Sequence, residues 1–169
     1  MFSSYLALAC KKHTQMKVRA VAVLRTRDIQ GLVTFEQSVH GGPTRIYGTI
    51  KGLTDGEHGL HIHEYGDISD NCNSAGAHFN PHDEQHGGRT ASVRHAGDYG
   101  NIVSTNGTAQ FDFVDNLTTL IGKYSVIGRA LVVHADRDDL GLGGHPLSKT
   151  TGNSGARVAC AVIGIAKSS

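Results

Sequence analysis

Between Leu60 and Asp98 the chain carries His61, His63, His78, His82, His86, His95 and Asp98, and His134 follows in a second apolar run. Imidazole is the commonest side-chain ligand of transition metals, and imidazoles with a carboxylate suit zinc or copper better than calcium. His61 and His63 lie two residues apart, so on an extended strand both project from one face and can grip one ion. Two ligands do not make a site. His134, ending the run Ala130-Leu131-Val132-Val133, offers a third from another strand, and His78 a fourth from the loop. Separately, His78, His86, His95 and Asp98 provide three imidazoles and a carboxylate, a tetrahedral zinc set. His78 belongs to both groups, and a deprotonated imidazolate can bond one ion through each nitrogen.

Such ligands need a frame, and the rest of the chain reads as an all-β one. Apolar, β-rich segments run from Met16 to Leu24 and recur near 31–37, 44–51, 57–63, 99–104, 108–114, 117–121, 129–134 and 157–165. Turn signals separate them at Gly41-Gly42-Pro43, Thr54-Asp55-Gly56, Asn106-Gly107 and Gly143-Gly144. Glycine, at 22 of 169 residues, is close to twice its usual share of roughly 7 %. Short strands at these intervals predict a sandwich or barrel with Greek-key connections. Two long stretches, 64–98 and 135–155, interrupt the rhythm. Loops of that length are uncommon in compact domains and are usually functional, and something must hold them.

A length of 169 residues suits one domain. The formal charge of +1, without a large basic block, argues against nucleic acid as a partner. No apolar run approaches the roughly 20 residues of a membrane span. Three cysteines are too few for a disulfide-scaffolded fold. Residues 1–15 lack acidic residues and precede Met16, a plausible alternative start. They are expected as an N-terminal extension, either a disordered tail or a targeting segment, ahead of a domain spanning 16–169.

The chain resembles the copper/zinc superoxide dismutases in Gly59-Leu-His-Ile-His-Glu-Tyr-Gly-Asp67, Ser74-Ala-Gly-Ala-His-Phe-Asn-Pro81, His86-Gly-Gly88, His95-Ala-Gly-Asp98, Gly128-Arg-Ala-Leu-Val-Val-His134, Asp138-Asp-Leu-Gly141 and Thr151-Gly-Asn-Ser-Gly-Ala-Arg-Val-Ala-Cys160. The resemblance spans about residues 17–167, in the family's order. It implies an eight-stranded Greek-key β-barrel or sandwich, immunoglobulin-like, with two functional loops. It implies one copper and one zinc ion per subunit, and the conversion of superoxide to dioxygen and hydrogen peroxide. By the same resemblance His61, His63, His78 and His134 are copper ligands. His78, His86, His95 and Asp98 are zinc ligands, with His78 bridging and catalytic. Asp138 looks like the carboxylate that orients one ligand of each metal, Cys72 and Cys160 like the intrasubunit disulfide, and Arg157 like the cation that draws in the anion. A homodimer through positions such as Tyr65, Gly66, Ile127, Gly164 and Ile165, a copper chaperone and a cytoplasmic location follow as further expectations. The location becomes mitochondrial or secreted if residues 1–15 are a targeting segment.

Two other readings compete. A copper-delivery protein using this fold only for docking would have lost copper ligands and gained Cys-x-x-Cys motifs; here all seven ligand positions are filled and no such motif occurs. A zinc-only structural sandwich leaves His61, His63 and His134 without a role. His82 reads as a solvated loop residue, His58 as packing near the copper strand, and His13, His40 and His145 as exposed. Asp136 and Asp139 read as ordinary loop charges. Pro146 and Leu147 stand where many relatives are acidic, and the expected steering lysine is displaced, with Thr150 in its place and Lys149 before it. Asn106-Gly-Thr and Asn116-Leu-Thr match glycosylation sequons, which matter only on a secretory route.

Overall fold

The computed structural model describes residues 16–168, so the expectations for residues 1–15, including His13, lie outside the described residues. Eight strands form among them: β1 (Lys17–Arg25), β2 (Gln30–Ser38), β3 (Thr44–Lys51), β4 (Gly56–His63), β5 (Asp98–Thr105), β6 (Thr108–Asp115), β7 (Ala130–His134) and β8 (Arg157–Ala166). They close an antiparallel barrel in the order β1-β2-β3-β6-β5-β4-β7-β8. Closure pairs every strand on both sides and removes the exposed edges that invite aggregation. The chain leaves β3 to begin β4 elsewhere in the wall, and leaves β6 to begin β7, which are the Greek-key crossings.

Side-chain alternation decides what lies inside. Ala20, Ala22 and Leu24 of β1, Val33 and Phe35 of β2, and Ile46 and Ile50 of β3 fill the core. Strands β4 and β7 differ: from His58 to His63, and throughout β7, every residue is buried. Their inward residues, Leu60, Ile62, Leu131 and Val133, belong to the core. Their outward residues, including His61, His63 and His134, are covered by the two long loops. Ala130 and Val132 pack there with Ala75 and Cys160 in a small second apolar cluster. The histidines therefore stand outside the barrel wall, sealed between wall and loops.

The segment 117–121, expected as a further strand, is irregular apart from an isolated bridge between Thr119 and Ser125. Side chains take the donors that a strand partner would have taken. Asp115 Oδ1 accepts the N–H groups of Leu117 and Thr118, and Gln37 Oε1 accepts that of Leu120. The stretch from 64 to 97 contains one short 3-10 turn, Asn73–Ala75, and the stretch after β7 one helical turn, α1 (Ser148–Thr151). The Cys72–Cys160 disulfide pins the first loop to β8, with Cα atoms 5.8 Å apart.

Candidate metal centre

Strand pairing brings the ligands together. His61 lies opposite Val132 of β7 on one side and Asp98 of β5 on the other. The ladders are irregular beside His61 and between Val133 and His134, where a bulge re-aims side chains. His63 forms an isolated bridge with His78, so the loop's first histidine is docked onto the end of β4. The structure brings together every ligand expected from the sequence. The ligand atoms of His61, His63, His78 and His134 lie within 4.8 Å of one another, as do those of His78, His86, His95 and Asp98.

Hydrogen bonds to the outer edge of each ring decide which nitrogen faces inward. His63 Nδ1 donates to the Gly76 carbonyl (2.9 Å) and His134 Nδ1 to the Gly155 carbonyl (3.2 Å). Carbonyls only accept, so both Nε2 atoms present lone pairs, and these face each other across 3.4 Å. Burial, then the neighbouring His78, pushes His63 down to about 2. Burial likewise takes His134 to about 4, so both rings are neutral at pH 7. His61 Nε2 donates to Asp138 Oδ2 (2.9 Å), which leaves its Nδ1 inward. His86 Nε2 donates to Asp138 Oδ1 (2.8 Å). Asp138 thus joins one ring of each group. The carboxylate stays ionised: burial opposes its charge, and the bonds from His61 and His86 outweigh burial. His61, His86 and Asp138 also lie close enough to be read as a third metal cluster. Their facing atoms are already paired as donors and acceptors, so it is a hydrogen-bonded bridge.

On the other side, Asp98 Oδ1 is surrounded by Nδ1 of His78 (2.9 Å), His86 (3.0 Å) and His95 (3.1 Å). A tetrahedral zinc site with bonds of 2.0–2.1 Å has ligand–ligand edges of about 3.3 Å, close to this spacing. Asp98 Oδ2 is held by the N–H groups of His95 (2.8 Å) and Gly87 (3.1 Å). Burial opposes the charge on Asp98, but the close imidazoles of His78, His86 and His95 depress its pKa far below the ordinary carboxylate range. Burial also works against a charged His86, and here the two carboxylates prevail, raising it to about 9.

Among the described residues three buried imidazole nitrogens have no hydrogen-bond partner: His61 Nδ1, His78 Nε2 and His86 Nδ1, the last near Asp98 but out of line with it. Each such atom costs about 1–3 kcal/mol when left unsatisfied. All three face the two positions where the other ligand atoms converge, and cations there would remove the cost. The donor set fits the ions, imidazoles alone for copper on one side and imidazoles with a carboxylate for zinc on the other. His78 faces both, with its ring centroid 3.9 Å from that of His61.

Arg157 opens β8 across from His134. Its guanidinium donates to the carbonyls of Cys72 (2.6 Å), Asn73 (3.2 Å) and Gly76 (2.6 Å). The Gly76 carbonyl is the one that also orients His63, so the disulfide, the arginine and the copper-side histidine are mechanically linked. His58 is buried as expected, but it does more than pack: its ring nitrogens contact the carbonyls of His134 and Thr54, 2.9 Å each. His40, His82 and His145 are exposed. Asp139 is not a free loop charge, since it accepts from Ser148 Oγ (2.5 Å) and the N–H of Gly141 (2.9 Å). Sequence reasoning missed Asn101, which exchanges two hydrogen bonds with the backbone of Asp138 (2.8 and 2.7 Å). It also missed Gly152, whose Cα faces the Asp138 bridge. Asn101 lies outside every recognisable motif, and Gly152, although inside the Thr151–Cys160 segment, has no side chain to announce a role.

The family model for copper/zinc superoxide dismutase matches residues 29–163. A relative named superoxide dismutase [Cu-Zn] 4, from Dictyostelium discoideum, is 51 % identical over 148 residues, covering 86 % of this chain and 97 % of its own length. A putative superoxide dismutase [Cu-Zn] from Autographa californica nuclear polyhedrosis virus is 48 % identical over 152 residues, 89 % of this chain and 100 % of the relative. Likeness of this extent covers both long loops as well as the barrel, and the chain belongs to the copper/zinc superoxide dismutase family.

Proposed function

We propose that the chain dismutates superoxide with copper held by His61 Nδ1 and by Nε2 of His63, His78 and His134, and zinc held by Nδ1 of His78, His86 and His95 with Asp98 Oδ1. The observation that carries this reading is the set of three orphaned nitrogens facing two convergent positions that meet on His78. When bound, copper would supply the one-electron redox chemistry by which two superoxide anions and two protons become dioxygen and hydrogen peroxide, and the zinc ion would be held by His78, His86, His95 and Asp98. The chain's own residues do the rest. Arg157, a charge-assisted donor fixed by three carbonyls, binds and orients the anion at the rim. His78 Nε2 has no competing protein partner, so whenever it is not engaged by copper it can hold a proton for the substrate while Nδ1 stays engaged. Asp138 restrains the rings of His61 and His86, so that their inward nitrogens keep their direction.

The proposal includes a homodimer. Support comes from a shallow, mainly apolar groove lined by Val21, Val23, Ile68, Val162 and Gly164 together with Arg25, with Tyr65 and Ile165 exposed. It also includes a copper chaperone for loading and a cytoplasmic location for the domain from 16 to 169, or a mitochondrial or secreted one if residues 1–15 direct it there. No helix among the described residues is long and apolar enough to cross a membrane. Metal analysis of the purified chain together with a superoxide-consumption assay tests the central reading. One copper and one zinc per chain with rapid consumption is expected; uptake of a single ion, or a fully loaded chain that leaves superoxide untouched, refutes it.

A further inference from the structure

Two of the four atoms proposed for zinc come from a single turn, 95–98. The backbone carbonyls of that turn's two ligand residues are both taken by one side chain. Arg94 Nη1 donates to the carbonyls of His95 and Asp98, each at 3.1 Å. The other arm of the same guanidinium donates to Asp115 Oδ2. Asp115 ends β6, and its second oxygen accepts the N–H groups of Leu117 (2.9 Å) and Thr118 (2.7 Å). The Thr118 hydroxyl meets that of Tyr99, the residue after Asp98, at 2.7 Å. Arg94 and Asp115 are 5 % and 2 % exposed.

A buried ion pair is a poor source of net stability, because desolvation offsets much of its attraction. What this pair provides is geometry: a rigid planar fork spans two carbonyls and a carboxylate at once, which a lysine cannot do. We propose that Arg94, anchored on Asp115, is a positioning residue for the zinc set. It ties the 95–98 turn to the end of β6 and so holds the ligand atoms of His95 and Asp98 at convergent spacing. The inference rests on the reading of His78, His86, His95 and Asp98 as the zinc ligands. The hydrogen bonds of Arg94 reach none of His61, His63 or His134, so its effect falls on one ion position.

Arg94→Lys keeps a positive charge facing Asp115 and removes the fork. Metal-stripped wild type and variant are titrated with zinc and with cobalt(II) against a competing chelator, and separately with copper(I). Loss of an outer partner of a metal ligand typically weakens binding about 10–100-fold, and that loss is expected for zinc while copper(I) affinity holds. The visible spectrum of the cobalt form should lose intensity as its tetrahedral field is distorted. Asp115→Asn, which keeps an acceptor for Leu117 and Thr118 but removes the charge facing Arg94, should shift zinc affinity in the same direction, and it decides the matter if Arg94→Lys does not fold. Wild-type zinc affinity in the folded variants overturns the proposal, as does a parallel loss for zinc and copper(I), which marks a purely structural pair. A wild-type chain that takes up no zinc overturns the zinc assignment itself, and the proposal with it.

Discussion

Replacing Gly152 with alanine tests whether the Asp138 bridge organises the centre. Gly152 sits at φ +64°, and a Cβ there would lie 1.9 Å from Asp138 Oδ1 and 2.6 Å from His86 Nε2. Neither neighbour is the free end of a flexible chain: Asp138 is fully buried, and its oxygens are committed to His61 and His86. The carboxylate must swing away and lose at least one hydrogen bond to a charged group, about 1.5–3 kcal/mol. The left-handed backbone adds about 1–2 kcal/mol for any residue with a Cβ. The sum is about 2.5–5 kcal/mol, a large share of the roughly 5–15 kcal/mol that stabilises a typical domain. Gly144→Ala is the control, since Gly144 has φ +71° and nothing within 4 Å of its added Cβ. It should cost only the backbone part, about 1–2 kcal/mol. Urea unfolding of both metal-free variants, disulfide intact, gives the two values, and chelator titration should show weakened zinc binding in Gly152→Ala alone. Equal destabilisation by the two substitutions, with wild-type zinc binding in both, would refute the reasoning.

Arg157→Glu should slow superoxide consumption about tenfold or more, and Lys149→Gln only slightly, with a rate that falls as salt screens the attraction; a wild-type rate indifferent to salt, or a fast Arg157→Glu, removes the steering role. Reducing Cys72–Cys160, whose ends are 88 residues apart, should cost about 4–5 kcal/mol and loosen the carbonyls that hold Arg157; thermal melting with and without reductant reads this, and two free thiols in the active protein would contradict it. Because His86 is raised to about 9, it is protonated in the metal-free chain at pH 7 and must release that proton when Nδ1 takes zinc. Zinc affinity should therefore climb about tenfold per pH unit up to roughly 9 and then level, and calorimetry in two buffers should show about one proton released per zinc at pH 7. A pH-independent zinc affinity between 6 and 8 would falsify it.

The ligand types and most of the barrel were legible along the chain because both rest on local rules. The i, i+2 spacing of His61 and His63 puts them on one face of any strand, and apolar, β-rich runs between turn signals mark all eight strands. The segment 117–121 carries the same apolar signature, yet it is no strand. Its donors were claimed by Asp115 nearby and by Gln37, 83 residues before Leu120. The same limit separates naming ligands from assembling them. A histidine offers two equivalent-looking nitrogens in sequence, and the choice between them is made by groups far along the chain. Gly155 turns His134, Gly76 turns His63, and Asp138 turns both His61 and His86, across separations of 13 to 77 residues. Arg94, Asn101 and Gly152 acquire their roles in the same way, through backbone carbonyls and close approaches that have no residue type of their own. Residue chemistry and period-two alternation are written locally. Direction is not, because it is set by whichever acceptor the folded chain places behind each ring.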